Sequence, residues 1–149
     1  MTSAAPSPRR AVLLLHEGFG VPHIDLLFER DDGPLVTFRT PVGISLLLRH
    51  DQTAKFQAER SPDHRRVYLE YEGPVSNQRG TVRRVATLTL RAFIETPGAI
   101  AFTVAPGPGP LDLPSAATEW IAHLDSHGLW RFEGRGRLHG PAAIAGVPR

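Results

Sequence analysis

Apolar positions fall in short runs broken by Gly, Pro and Asp, with little of the three-to-four spacing of a surface helix. Val12–Leu15 is an apolar run entering His16, and Gly18, Gly20 and Pro22 make 17–22 a loop. His23–Glu29 alternates poorly but is β-compatible, and it ends in the turn Asp31-Asp32-Gly33-Pro34. Leu35–Thr40 reads as the returning strand of a hairpin, stopped by Pro41 and Gly43. Ile44–Leu48 is apolar and of undecided state, and Gln52–His64 is polar and reads as irregular. Val67–Glu72 alternates and reads as a strand stopped by Gly73-Pro74. Thr81–Val85, Thr87–Ile94 and Ala99–Val104 read as further strands, and the Pro- and Gly-rich Ala105–Pro114 as a loop. Ala116–Leu124 fits a short helix or a strand. Leu129–Leu138 has period two, with Trp130 and Phe132 on one face. Many short strands with little helix predict an all-β fold, either an antiparallel sandwich or a small closed β-barrel of short, mostly antiparallel strands.

The 149 residues suit one domain. We expect residues 1–10 to be a disordered leader, 11–140 the domain and 141–149 a flexible tail. Apolar residues at 41% and charged residues at 21% are near the globular average, so one core can form. No apolar run approaches the ~18 residues of a membrane helix. Pro6, Pro8, Arg9 and Arg10 before a short apolar run do not read as a secretion signal, and a cytoplasmic protein is expected. The chain has no Cys, which excludes disulfides, a thiolate metal site and a Cys nucleophile. Any metal must then be held by His, Asp or Glu.

Net charge is only +2, but Lys55 is the only Lys beside a full complement of Arg. Codon bias explains that preference, and so does phosphate recognition, since guanidinium grips phosphate oxygens bidentately. Clustering of Arg65–Arg66 with Arg79, Arg83 and Arg84 around one segment bears on the second reading.

The sharpest local feature is His23-Ile24-Asp25. On a strand, an imidazole and a carboxylate two residues apart share a face, with Ile24 turned the other way. His16 lies across the Gly/Pro loop, close enough in sequence to fold back. Two imidazoles and a carboxylate suit Mn²⁺, Fe²⁺ or Zn²⁺ and leave positions open. The same residues also fit an ordinary hydrogen-bonded strand pair. A second feature is Asp63-His64-Arg65-Arg66 followed by Tyr68, which fits a proton donor or phosphate ligand as well as a solvated polar loop.

Together these blocks resemble the 3′-phosphoesterase domain of bacterial DNA ligase D and its small stand-alone relatives. The likeness lies in His16, His23-Ile24-Asp25-Leu26-Leu27-Phe28-Glu29 and Asp31-Asp32-Gly33. It continues in Asp63-His64, Tyr68, Glu70-Tyr71-Glu72-Gly73-Pro74 and Gly80-Thr81-Val82. It covers residues 11–86 well and the remainder only by strand pattern. The resemblance implies a small β-barrel with metal ligands at His16, His23 and Asp25. It implies a phosphate-contacting His64 and a supporting Tyr68 as catalytic residues. The implied activity is manganese-dependent removal of a 3′-phosphate or terminal ribonucleotide in DNA end repair. The implied partners are DNA or RNA–DNA 3′ ends, with a separate DNA ligase or polymerase, and no membrane.

Three departures bear on substrate grip. The ligase-linked enzymes carry an Arg two residues after the metal-binding Asp, where this chain has Leu27, and an acidic residue where it has Pro62. The loop from His16 to His23 is one residue longer. Losing an Arg–phosphate contact costs about 1.5–3 kcal/mol as a charge-assisted bond. Arg39, Arg66 or Arg79 would have to compensate, with Arg65 and Arg66 attracting the nucleic-acid backbone. The alternative is a non-catalytic nucleic-acid or protein-binding barrel with a decayed site. A facial-triad iron oxygenase, with His123, His127 or His139 as the distal ligand, leaves the second block unexplained. Trp120 and Trp130 read as core, His50 as surface, and His123, His127 and His139 as solvated or hydrogen-bonded locally.

Overall fold

The computed structural model describes residues 9–43, 54–106 and 117–137. Its strands are β1 (Arg9–Glu17), β2 (His23–Phe28), β3 (Leu35–Thr40), β4 (Lys55–His64), β5 (Gly73–Pro74), β6 (Thr81–Thr96), β7 (Ala99–Pro106), β8 (Thr118–Leu124) and β9 (Trp130–Arg137). A single 3₁₀ turn, Arg66–Leu69, follows β4. Strand order is β1-β2-β3-β4-β9-β8-β7-β6, and β6 pairs back onto β1. All the pairings are antiparallel. The eight strands ring a common interior, so the fold is all-β and barrel-like, as the strand pattern predicts. β5 adds a two-residue pairing at the start of β6. Ring closure satisfies the edge hydrogen bonds that an open sheet leaves exposed.

The interior is filled by alternate residues of each strand. β1 contributes Ala11 and Leu13, β2 contributes Ile24, Leu26 and Phe28, and β3 contributes Val36 and Phe38. Across the ring they meet Phe102, Trp120, Trp130 and Phe132. Phe28 lies 4.7 Å from Phe102 and Phe38 lies 5.0 Å from Phe132 between ring centroids, which is ordinary aromatic packing distance.

The opposite face of β1–β3 is also covered. Val12, Leu14, Leu27 and Leu35 pack outside the ring against Leu69 and Val82, with Tyr68, Tyr71 and Val75 closing over them. The segment after β4 thus forms a cap on the outer wall. All six residues of β2 are buried as a result. A strand buried on both faces loses the in–out alternation, which explains why His23–Glu29 alternates so poorly.

Several expectations need correction. Arg9 and Arg10 are not leader but open β1, paired with Leu90 and Thr89. Most of Gln52–His64 is not irregular but forms β4, held by β3 on one side and β9 on the other. Its few apolar residues hide a strand whose hydrogen bonds are all non-local. Val67–Glu72 is not a strand: Tyr68 and Leu69 reach the outer cluster from a 3₁₀ turn, and Tyr71 from just beyond it. The two strands expected over 81–94 are one, β6. Thr118–Leu124 is a strand, and Ala105 and Pro106 still belong to β7. Trp120 and Trp130 are core, as expected, and His123 and His127 are exposed. Residues 1–8, Ile44–Leu48, His50, most of the Pro-rich stretch, His139 and the tail 141–149 lie outside the described residues. Among the described residues no helix is long and apolar enough to cross a membrane.

Candidate metal centre and phosphate cleft

The outer face of the ring, beside the cap, carries the chemistry. Register pairs His16 with His23 across β1 and β2, and Asp25 lies two residues further along β2 on the same face. His23 is 6% and Asp25 3% exposed. One ligand atom from each of His16, His23 and Asp25 falls within 4.8 Å of the others. His64, at the end of β4, brings Nε2 to 3.7 Å from Asp25 Oδ2. The sequence-predicted ligands therefore converge, and the sequence-distant His64 joins them.

Each imidazole has one nitrogen committed to the backbone. His16 Nε2 lies 2.6 Å from the Arg79 carbonyl, His23 Nδ1 3.3 Å from the Val21 carbonyl, and His64 Nδ1 3.1 Å from the Pro62 carbonyl. A carbonyl only accepts, so these nitrogens carry protons and donate. The other nitrogen of each ring faces Asp25: His16 Nδ1 at 3.6 Å and His23 Nε2 at 3.0 Å. His23 Nε2 is buried and makes no hydrogen bond. In the neutral ring, protonated at Nδ1, that atom presents a lone pair to a carboxylate oxygen. Facing lone pairs in a buried site repel unless a cation lies between them, and carbonyl-fixed tautomers are what metal-binding histidines show. The donor set of two imidazoles and a carboxylate fits a divalent ion of the manganese, iron or zinc class.

Burial disfavours the Asp25 carboxylate, but its hydrogen-bond contact with His64 and the imidazoles around it outweigh that and hold it below the usual carboxyl range. Burial likewise disfavours charged His64, but the Asp25 carboxylate, with the Pro62 carbonyl, raises its affinity for a proton.

Local structure explains the placement. Thr37 Oγ1 donates to the Leu35 carbonyl and accepts from the His64 backbone N–H at 3.1 Å, which sets the end of β4 against β3. Gly80 has φ +83°, and a Cβ there would sit 2.0 Å from the Glu17 carbonyl oxygen. Only Gly brings the start of β6 close enough to present the Arg79 carbonyl to His16. Thr37 and Gly80 were not among the expected site residues. Thr37 interrupts an apolar run at an outward position, the one trace it leaves in the sequence.

A cleft of about 370 Å³ opens over these groups, within the ~300–1,000 Å³ of small-molecule sites. Arg39, Arg65 and Arg79 line it. Arg39 stands in register with Asp25 on the adjacent strand. Arg65 lies 5.9 Å over the Tyr68 ring, and Arg79 donates to the Ser76 carbonyl and, at 3.4 Å, to the Ser76 hydroxyl. None of the three has a carboxylate partner among the described residues, so the rim is positive. The Tyr68 ring is 5.4 Å from His64. Arg66 is placed differently. It donates to Glu29 Oε2 at 2.9 Å and to the Arg30 and Gly33 carbonyls, anchoring the cap to the β2–β3 turn outside the cleft. Leu27, where the ligase-linked enzymes have Arg, is wholly buried under the cap.

No family model and no curated protein matches this chain.

Proposed function

We propose that the protein is a metal-dependent phosphoesterase acting on nucleic-acid 3′ ends, removing a 3′-phosphate or a terminal ribonucleotide in DNA end repair. The reading agrees with the resemblance to the ligase D phosphoesterase domain. The observation that carries it is the convergence of three imidazoles on one buried carboxylate, His23 Nε2 at 3.0 Å from Asp25 Oδ1 with His16 Nδ1 and His64 Nε2 turned to the same group. A barrel that merely binds a partner gains nothing from gathering three imidazoles on one buried carboxylate, whose burial costs free energy.

His16, His23 and Asp25 would hold a Mn²⁺ or similar ion, whose chemistry there is Lewis-acid polarisation of a phosphate oxygen. His64 Nε2 holds a proton against a phosphoryl or leaving-group oxygen. Tyr68 backs the His64 ring. Arg39, Arg65 and Arg79 neutralise phosphate charge and orient the ester. With Leu27 under the cap, Arg39 is the cation best placed for the task of the missing family Arg, because it faces the cleft directly across from Asp25. Arg66 contributes through the cap rather than by touching phosphate.

The test is Mn²⁺-dependent phosphate release from a 3′-phosphorylated primer-template. Release is expected from the wild type and is expected to disappear in His23→Ala and Asp25→Ala proteins that keep their β-sheet circular dichroism. Activity retained by both variants overturns the proposal.

A further inference from the structure

A second cleft, of about 550 Å³, adjoins the first and shares Phe19, His23 and Arg39 with it. Its chemistry is different. One wall is the loop between β1 and β2, where Phe19 is 52% exposed and Val21 83% exposed. The other wall is β4, which presents Gln57 and Glu59. Neither of these side chains has a hydrogen-bond or ionic partner among the described residues. Arg39 sits at the junction, in register with Asp25 on one side and Glu59 on the other.

We infer that this second cleft is a nucleoside subsite, which takes the 3′-terminal nucleoside, its base on the Phe19 ring, while the attached phosphate lies in the first cleft. The inference rests on the phosphoesterase reading and adds the substrate's form to it. An exposed aromatic ring beside a phosphate site is what base stacking uses, and stacking tolerates any base because each has a π face. Glu59 repels phosphate, so the anionic part of a ligand is driven toward the Arg-lined cleft. Its carboxylate and the Gln57 amide offer hydrogen bonds to sugar hydroxyls and base edges. Arg39 reaches the bridging region between the two parts.

The test compares binding of inorganic phosphate and of a nonhydrolysable nucleotide, the 3′-methylenephosphonate analogue of adenosine 3′-monophosphate, to the full chain with Mn²⁺, by calorimetry. The nucleotide is expected to bind the wild type more tightly than phosphate. In Phe19→Ala that advantage is expected to fall by about 5- to 150-fold, the loss of one stacked base. Phe19→Trp is expected to keep it. Phe19 is half exposed in a loop, so neither substitution threatens the core. If phosphate binds and the nucleotide binds no better, or if Phe19→Ala leaves the ratio unchanged, the subsite is overturned and the phosphoesterase reading stands. If neither ligand binds, both are overturned.

Discussion

The two faces of β2 are made by the same six residues and follow opposite rules. Inward, Ile24, Leu26 and Phe28 join an aromatic and aliphatic interior in which, among the described residues, Trp120 Nε1 is a side-chain polar atom without a hydrogen bond. Outward, His23 and Asp25 are as deeply buried but polar, and His23 Nε2 lacks a hydrogen bond. One face stabilises the fold by removing apolar surface from water. The other holds groups whose burial costs free energy unless a ligand satisfies them. The difference teaches that burial alone does not separate core from site. The gathering of ionisable side chains on one buried carboxylate does.

Cutting into each face should change stability with opposite sign. Trp120→Ala opens the barrel interior and is expected to cost about 3–5 kcal/mol of unfolding free energy in urea. His23→Leu, measured with chelator present, is expected to be neutral or to stabilise by up to about 1–3 kcal/mol, because it removes an unpaired buried nitrogen. The same variant is expected to lose Mn²⁺ binding. A large destabilisation of chelated His23→Leu would show that the histidine is a structural element of the wall.

Gly80 joins the two regions, since it lets β6 close on β1 and presents a carbonyl to His16. Gly80→Ala is expected to cost about 1–3 kcal/mol through overpacking. It is also expected to weaken Mn²⁺ binding about 10- to 100-fold through loss of the carbonyl that orients the ligand. Thermal unfolding and a metal titration read the two effects, and an unchanged titration would detach Gly80 from the site.

The smallest effect concerns Asp63, which the sequence pairs with His64 but the structure turns toward Arg30 and Arg60 instead of toward Asp25. Partial burial opposes its ionisation, but hydrogen bonds and charge from Arg30 and Arg60, at 2.8 and 2.7 Å, win and lower its proton affinity. A lowered folded-state value means stability that is present above the unfolded carboxyl value of ~3.9 and lost as pH falls through the folded one. The urea midpoint is expected to drop more steeply below about pH 4 in the wild type than in Asp63→Asn, by under ~1 kcal/mol for an exposed pair. An identical acid limb would remove Asp63 from the account.

The local chemistry was legible where period two governs it. His23 and Asp25 share a face because every extended strand places residues two apart together, and Ile24 turns inward for the same reason. β4 was not legible, since Lys55–His64 has almost no apolar alternation and owes its conformation to β3 and β9. The cap was misread because Tyr68, Leu69 and Tyr71 satisfy a packing need that an aromatic strand would also satisfy. Arg66 was grouped with the phosphate ligands by adjacency to Arg65, yet the 3₁₀ turn sends the two side chains to different places.

By itself the sequence determined an all-β chain and a His-x-Asp pair on one strand face, because those depend only on local backbone geometry and the alternation of side chains. Tertiary structure alone decided that the strands close into a ring, that His64 arrives beside Asp25, that the Arg79 carbonyl orients His16, and that Leu27 is sealed beneath a cap while Arg39 faces the cleft. Those outcomes come from hydrogen bonds and burial between segments far apart in the chain, and no local pattern encodes which distant strand supplies the partner.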